Sequence, residues 1–419
     1  MTTTPPADQV GRHSGGSATA ATSATSANRQ LALSTIGFAL CFWAWALISP
    51  LATRYADDLN LSAFEQSLLV AVPVLVGSLG RIPVGALTDA VGARRMFPII
   101  SLLTILPVLF VGYVASDSYP AMLFGGFFLG LGGTAFAIGV PHVNGWFAPE
   151  RRGTAIGIFG MGMGGTAISA FTTVRIADKW GDSAPFALVA VLLAIYGVAA
   201  AMLLRDASSK RGSPRGFVGR AWTTLKMPVT LQLSFLYAVG FGGFVAFSVY
   251  LPAYLKNAYD LSQNDAALRT AGFVVLAVIA RPLGGWLSDR YNPVPVLTGC
   301  FVGGAGLAAL AAFERPLMPV GTIAFLGLAA VLGGAAGATF ALVAEVTEPA
   351  KVGAVTGIVG AAGGLGGFIP PLLMGAVYGA FDDYSLGFVL LALTAAAAAV
   401  FTWLVVGRAA RARASAVQA

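Results

Sequence analysis

The sequence predicts an all-α polytopic membrane protein whose twelve transmembrane helices form two parallel six-helix repeats. The 419 residues are 57% hydrophobic and only 10% charged, whereas soluble domains are about 25% charged. Twelve apolar runs are each long enough to cross a bilayer, which takes about 20 helical residues. Two sets of motifs also recur at a single offset of 200 residues. This composition excludes a soluble enzyme, and we expect no nucleic-acid partner.

The apolar runs follow one another with short polar connections, so the helices can be placed in order. None shows the two-residue alternation of a membrane β-strand. The longest connection lies between the sixth and seventh runs and carries six Lys or Arg residues against Asp206 alone. The runs cover residues 32–53, 65–87, 96–115, 120–146, 153–175, 184–204, 228–255, 266–287, 294–313, 318–344, 353–379 and 384–407.

These boundaries divide the chain into five parts. The first thirty residues are rich in Ala, Ser, Thr and Gly and lack the apolar core of a signal peptide. We expect a disordered cytoplasmic tail (1–30), an N-terminal six-helix bundle (31–205), a cytoplasmic linker (206–227), a C-terminal six-helix bundle (228–408) and a second cytoplasmic tail (409–419).

The distribution of positive charge predicts the orientation in the membrane. With both termini inside, the inner segments hold 17 of the 25 Lys and Arg, the outer loops hold 6, and Arg81 and Arg281 lie within helices. Cytoplasmic loops of membrane proteins carry such an excess of Lys and Arg. We therefore expect both termini to lie in the cytoplasm. We also expect the protein to be a monomer and to be a multi-pass protein of the plasma (inner) membrane.

The internal repeat relates helices two and five to helices eight and eleven. The stretch 81–89 aligns with 281–289 through the same Arg, Gly, Leu and Asp positions. The same offset superposes four glycines of 153–164 on four glycines of 353–364. Because six helices separate the copies, both copies run in the same direction across the membrane, and the two halves are parallel repeats.

Arg81 and Arg281 are the candidate ligand-binding residues. Each lies eight residues before an Asp at the cytoplasmic end of its helix, which places it about 12 Å into the membrane, near the midplane. A charge at this depth is costly, and we expect no Asp or Glu there to pair with it. We predict that both arginines bind one anion, because a planar guanidinium can donate two parallel hydrogen bonds to an oxyanion. No metal or cofactor is expected.

Charged residues also mark the inner ends of helices two and eight. The stretch 85–95 resembles the signature loop of the major facilitator superfamily, and the resemblance implies the major facilitator fold. We expect these charged residues to form a salt-bridge latch between the bundles rather than to contact substrate. They are Asp89, Arg94, Arg95, Asp289 and Arg290.

Two glycine-rich regions resemble the signatures of a narrower family. Residues 136–147 with 153–166 are similar to the first nitrate signature of the nitrate/nitrite porter family, and residues 353–367 are similar to the second. The resemblance implies that an arginine pair, matching Arg81 and Arg281, clamps the anion. It also implies that aromatic side chains of helices four, seven and ten stack on the anion: Phe136, Tyr237 and Phe340.

One position departs from the family pattern. The first signature usually reads G-x-G-N-x-G, and here Met163 replaces the Asn. This removes a side-chain hydrogen bond to the anion, so a different small anion is an alternative cargo. We expect Met163 in the substrate site together with Gly162 and Gly363, which can expose backbone to a ligand. Close helix packing is the alternative role of these glycines.

The resemblance implies a secondary transporter, not an enzyme, that moves nitrate and/or nitrite by alternating access, with nitrate assimilation as its setting. We expect anion exchange (antiport), because proton-coupled carriers place a titratable group in the membrane path, and here only Glu345 and His142 come near it. The alternatives are a proton-coupled nitrate symporter and a transporter of another small monoanion such as formate. A non-transporting anion sensor is less favoured, since we find no large signalling domain in the chain.

Overall fold

The computed structural model describes residues 14–207, 222–313, 316–347 and 352–408. Within these residues, twelve helices are long and apolar enough to cross a membrane, which confirms the predicted all-α fold. We number them α1 to α12. In chain order they are Thr25–Asp58, Ala63–Val91, Ala93–Tyr113, Tyr119–Trp146, Thr154–Trp180, Ala184–Leu203, Pro228–Tyr259, Gln263–Tyr291, Pro293–Ala312, Leu317–Val343, Val355–Phe381 and Ser385–Val406.

The helix that carries α1 begins earlier than the sequence suggested. It runs without interruption from Ser14 to Trp45, so residues 14–30 are helical in the structure, whereas the sequence predicts a disordered tail there. Half of the residues in 18–27 are alanine, the strongest helix former, and a transmembrane helix provides the nucleus from which they extend. Residues 1–13, most of the linker (208–221) and the tail 409–419 lie outside the described part of the chain.

Several spans are interrupted by glycine near their middle. In α2 the helix Ala63–Leu79 ends at Gly80, and a second helix, Arg81–Val91, begins directly after it. In α4 and α5 the interruptions are short 3-10 turns, Gly130–Thr134 and Met161–Gly164. Irregular backbone at this depth is found where it is buried within protein or lines a cavity. The breaks therefore mark the middle of the bundle as the place to look for a site.

The two halves of the molecule are joined most firmly at one end. We call this the outer end, because it carries the loops that the charge distribution assigns to the cell exterior. The outer parts of α2 and α11, and those of α5 and α8, pack more closely than their inner parts. Lys256 Nζ lies 2.8 Å from Asp57 Oδ2, and Gln263 Nε2 donates to the Pro50 carbonyl at 2.7 Å. The bundle is therefore closed at its outer end.

Asp178 adds a second connection between the halves at the outer end. Its carboxylate accepts hydrogen bonds from Arg54 Nη2 and from Asn264 Nδ2, both at 2.6 Å. Arg54 also bonds Asp182, so one arginine holds two carboxylates of the N-terminal half. Asn264 belongs to α8 in the other half. Asp178 therefore links α1, α5 and α8.

The inner parts of α5, α8 and α11 are farther apart. Apart from the backbone of the glycine's own helix and its chain neighbours, no atom of the described residues lies within 4 Å of the point where a Cβ would stand at Gly157, Gly285 or Gly357. Gly157 and Gly357 are equivalent under the 200-residue repeat. At these three positions the backbone faces open space. The inner end can therefore close further without steric conflict at these positions.

Candidate anion site between the two halves

Arg81 and Arg281 approach each other in the middle of the bundle, one from each half. Arg81 starts the second segment of α2, and Arg281 lies in the continuous helix Gln263–Tyr291. Both side chains are buried, with 7% and 8% of their surface exposed. The guanidinium carbons lie 5.9 Å and 5.5 Å from the centre of the same ring, Phe241. Two fixed positive charges thus flank a single aromatic side chain.

Arg81 is held by backbone carbonyls of both halves. Its Nε donates to the Gly133 carbonyl of α4 at 3.3 Å. Its Nη1 donates to the Gly360 carbonyl of α11 at 2.7 Å. A guanidinium has five N–H donors, so these two bonds leave donors that can reach another acceptor.

Arg281 has side-chain partners instead. Its Nη2 donates to the Tyr237 hydroxyl at 3.0 Å, and its Nη1 lies 2.7 Å from the sulfur of Met163. Tyr237 belongs to α7 of the same half, whereas Met163 belongs to α5 of the other. A thioether is a weak acceptor. The Nη1 donor of Arg281 is therefore poorly satisfied and would gain from a charged oxygen.

Aromatic rings surround the two guanidiniums. The ring centre of Phe136 lies 5.3 Å from the Arg81 guanidinium carbon, and that of Phe340 lies 5.7 Å from the carbon of Arg281. Tyr237 stacks on Phe241 with ring centres 4.8 Å apart and meets Phe340 edge-on at the same distance. Rings at this range attract cations through their faces. They also give a planar ligand flat walls.

Phe241 is the site residue that the sequence reasoning missed. It touches both guanidiniums, whereas each expected aromatic touches at most one. The signal was available, since Phe241 follows Tyr237 by four residues and so lies on the same face of α7. The structure brings together Arg81, Arg281, Phe136, Tyr237, Phe340 and Met163 as expected.

The expected glycines take packing positions next to the site. A Cβ at Gly162 would stand 2.5 Å from the Phe38 ring, and one at Gly363 would stand 2.2 Å from the Tyr237 ring. The glycines that face the arginines are their neighbours. A Cβ at Gly160 would lie 3.8 Å from Arg281 Nε, and one at Gly364 would stand 2.2 Å from Ser78 Oγ and 3.4 Å from Arg81 Nη1. Gly162 and Gly363 therefore permit the aromatic packing, Gly364 admits the Ser78 side chain beside Arg81, and Gly160 leaves the Arg281 guanidinium accessible.

The expected latch residues lie at the inner end, away from the arginine pair. Asp89, Arg94 and Arg95 are exposed around the turn that joins α2 to α3. The guanidinium of Arg290 lies 5.9 Å from the Trp286 ring and 5.7 Å from the Tyr291 ring. Asp289 is exposed beside Arg290.

The buried charges of the site are all positive among the described residues. Among the described residues, the buried polar and charged side chains include two arginines and no Asp or Glu. Glu345, near the inner end of α10, is exposed. His142 is buried between the rings of Phe97 and Trp146, and its Nε2 has no partner within the described residues. The site therefore has an excess of positive charge that a small anion would offset.

Comparison with known proteins identifies the family of the chain. The family model of the Major Facilitator Superfamily matches residues 34–332 and 233–419. Over 363 residues, the chain is 50% identical to the probable nitrate/nitrite transporter NarK2 of Mycobacterium tuberculosis, covering 86% of this chain and 92% of that protein. The chain belongs to the nitrate/nitrite porter family of the major facilitator superfamily.

Other relatives and solved structures fit the same family and fold. The nitrite extrusion protein of Bacillus subtilis is 36% identical, with 88% of this chain and 92% of that protein covered. The probable nitrate transporter NarT of Staphylococcus haemolyticus is 34% identical, with coverage of 87% and 93%. A bacterial homologue of the human lysosomal transporter Spinster, solved in an inward-facing and unoccupied conformation, superposes with a TM-score of 0.72 at 18% identity, with coverage of 92% and 97%. That structure supports the fold alone.

Proposed function

We propose that this porter exchanges nitrate and nitrite across the plasma membrane by alternating access, with Arg81 and Arg281 as the anion ligands. One observation carries the proposal: each half contributes one buried arginine to the same aromatic cluster. Two guanidinium forks suit a flat oxyanion with several acceptor oxygens. The names of the relatives, which refer to nitrate, nitrite or both, support this cargo.

The contacts of the arginines suggest how binding is coupled to movement. Arg81 Nη1 bonds the Gly360 carbonyl, and Arg281 Nη1 touches the Met163 sulfur, so each guanidinium contacts the opposite half. An oxyanion would compete for these N–H groups and replace protein contacts between the halves with contacts through the anion. Differential contacts of this kind let a ligand shift a conformational equilibrium. The open space at the inner glycines leaves room for the opposite closure.

The aromatic rings would make the site selective for planar anions. The ring of Phe136 lies against Arg81, the ring of Phe340 lies against Arg281, and Phe241 lies within 6 Å of both guanidinium carbons. A planar anion can slide between such faces while its edge oxygens reach the arginines. A tetrahedral or strongly hydrated anion would lose more hydration without matching the donors.

A second candidate cargo is another small monoanion such as formate. Met163 is the residue that supports this alternative cargo. Its sulfur lies beside Arg281 Nη1, at a position where the family pattern has the amide of an Asn. An Asn can donate to the anion and a thioether cannot. The Met163→Asn variant should bind nitrate more tightly if nitrate is the cargo. Unchanged affinity for every small anion tested would show that Met163 only packs.

Exchange is favoured over proton symport by the shortage of titratable groups. Within the described residues, no carboxylate is buried with the arginines, and Glu345 is exposed near the end of α10. His142 is the remaining group that a symport mechanism could use. It lies between Phe97 and Trp146 rather than against either arginine.

The remaining parts of the proposal concern the setting in the cell. We place both termini in the cytoplasm, because the inner segments hold the larger share of Lys and Arg. The charged residues at the inner ends of α2 and α8, including Asp89 and Asp289, would act as a latch when the inner end closes. The porter would work as a monomer in the lipid bilayer.

Uptake by reconstituted vesicles tests the proposal. Vesicles loaded with nitrite or with buffer would be given external nitrate, nitrite, formate or chloride in parallel. We expect nitrate uptake to be faster into nitrite-loaded vesicles and to respond little to an imposed pH gradient. Arg81→Ala and Arg281→Ala should abolish it, and Arg175→Ala, an arginine stacked on Phe171 outside the site, should not. Strong acid-driven uptake into buffer-loaded vesicles that is lost in His142→Gln would favour symport.

A further inference from the structure

A cleft with a strong positive charge lies at the inner end of the N-terminal half, apart from the arginine pair. It has a volume of about 930 Å³ and lies between the start of α3 and the end of α6. The residues that carry the argument are Arg94, Arg95 and Ile99 on one wall and Met202, Arg205 and Asp206 on the other. The transport mechanism above uses none of the α6 wall.

Three arginines and one carboxylate face the cleft, and the carboxylate is already engaged. Asp206 Oδ1 accepts a hydrogen bond from the backbone N–H of Arg94 at 3.0 Å, at the start of α3. Gly92 has a φ of +93°, and a Cβ there would stand 2.1 Å from Asp206 Oδ2, so the turn needs glycine to admit this carboxylate. In the described part of the chain, no carboxylate forms an ion pair with the side chains of Arg94, Arg95 or Arg205.

The segment that carries Arg205 is held firmly in place. Arg205 N–H donates to Gln30 Oε1 at 3.0 Å, and its carbonyl accepts from Trp146 Nε1 at 3.0 Å. Gln30 is 1% exposed, and its Nε2 also donates to the Leu203 carbonyl. Helices α1, α4 and α6 therefore fix the backbone of Arg205 beside α3. The fold thus fixes the backbone of Arg205 next to the start of α3, so that three exposed arginine side chains line one cleft.

The cleft also has an apolar side that faces the lipid. Ile99 is 44% exposed and Met202 is 68% exposed. Ile99 follows Arg94 by five residues, which places it about 7 Å deeper along the helix. Farther along α3, Leu103 and Leu106 are also exposed. The charges therefore lie at the headgroup level of a bilayer, and an apolar surface continues from them toward the hydrocarbon core.

We propose that this cleft binds the headgroup phosphate of an anionic phospholipid of the cytoplasmic leaflet, with an acyl chain along Ile99 and Met202. Basic pockets between transmembrane helices on the cytoplasmic side suit such headgroups. A free anion would satisfy the arginines but would make no use of the apolar wall. The chain's own linker cannot neutralise the cleft, because residues 208–221 contain four Lys or Arg and no Asp or Glu.

Native mass spectrometry of the full chain tests this binding. The delipidated protein would be mixed with equal amounts of phosphatidylglycerol and phosphatidylcholine. We expect preferential retention of phosphatidylglycerol, and a loss of roughly tenfold or more in the triple variant Arg94→Gln, Arg95→Gln, Arg205→Gln. Arg408→Gln provides the matched control, since Arg408 is an exposed arginine beyond α12 in the other half. This variant should retain the lipid as the wild type does.

The source of the phosphate is tested in the same experiment. Glycerol 3-phosphate and inorganic phosphate, added at the lipid concentration, should not displace phosphatidylglycerol. Displacement by either would overturn the lipid assignment in favour of a free-anion site. Equal retention of both lipids by the wild type would refute the proposal without any variant. The single variant Arg95→Gln gives a milder change if the triple variant fails to fold, and unchanged retention in it would also count against the proposal.

Discussion

Replacement of Arg281 by lysine separates charge from geometry at the proposed anion site. The substitution keeps one positive charge but removes the planar fork, whose Nη2 donates to Tyr237 and whose Nη1 lies against Met163. A lysine ammonium is a compact point charge and cannot give two parallel hydrogen bonds to one oxyanion. If charge alone held the anion, Arg281→Lys would bind nearly as well as the wild type.

The expected loss follows from the number of hydrogen bonds removed. A hydrogen bond that involves a charged group contributes about 1.5–3 kcal/mol. Loss of one such bond to the anion raises Kd by roughly 10- to 150-fold, since each 1.4 kcal/mol is tenfold. Arg81→Lys should lose a similar amount, and it would also disturb the bond to the Gly360 carbonyl across the halves.

Nitrate binding to the purified porter, measured by isothermal titration calorimetry, is the direct assay. Arg175→Lys is the matched control, because Arg175 stacks on Phe171 and bonds its carbonyl outside the site. Size-exclusion profiles would confirm that each variant folds. If Arg281→Lys and Arg81→Lys both bind nitrate within about threefold of the wild type, the bidentate clamp is refuted.

Three further predictions test other parts of the structure. Tyr237→Phe removes the hydroxyl that orients Arg281. The nitrate Kd measured by calorimetry should therefore rise about fivefold, which is the effect of one ordinary hydrogen bond. An unchanged Kd would mean that only the ring of Tyr237 contributes to binding. Gly157→Leu fills open space at the inner end. The rate of anion exchange in vesicles should therefore fall by roughly tenfold or more, while the nitrate Kd is unchanged. An exchange rate equal to that of the wild type would show that this surface never closes. Lys256→Ala removes an exposed ion pair with Asp57 worth about 0.2–1 kcal/mol, so exchange rates should change by less than about fivefold and less still at high salt.

The fold and the arginine pair could be predicted because each depends on a strong local signal. A bilayer crossing requires about 20 apolar residues whatever the rest of the chain does. Burial of an arginine at the midplane of the membrane is costly, so its presence there indicates a functional role. The 200-residue repeat then assigned Arg81 and Arg281 to equivalent helices, and the structure brings them to the same ring.

The finer features depend on packing that the sequence does not encode locally. The Gly360 carbonyl bonds Arg81 because α11 of the other half presents it there. Whether Gly162 or Gly160 faces a guanidinium depends on the rotation of α5, where one residue changes the direction by about 100°. The helix at 14–30 was missed because a polar, alanine-rich composition is shared by disordered tails and by extensions of transmembrane helices.

The arginine pair itself gives a physical reason to expect exchange rather than one-way transport. The two guanidinium carbons lie 5.9 Å and 5.5 Å from the Phe241 ring centre, so they are at most 11.4 Å apart. Even at that separation they repel by about 1.5 kcal/mol at an effective dielectric constant of about 20. A monoanion that reaches both guanidiniums, at about 5 Å from each, attracts each of them by about 3 kcal/mol, so the loaded site is held together and the unloaded one is pushed apart. In this protein, Arg81 and Arg281 belong to opposite halves. The repulsion therefore acts against the approach of the halves that each change of access requires. A carrier that returns loaded with a second anion avoids this barrier, and a carrier that returns unloaded does not. Nitrite outside the vesicles should accordingly accelerate the efflux of internal nitrate. If efflux is equally fast into anion-free buffer, the unloaded carrier returns freely and the electrostatic argument for exchange fails.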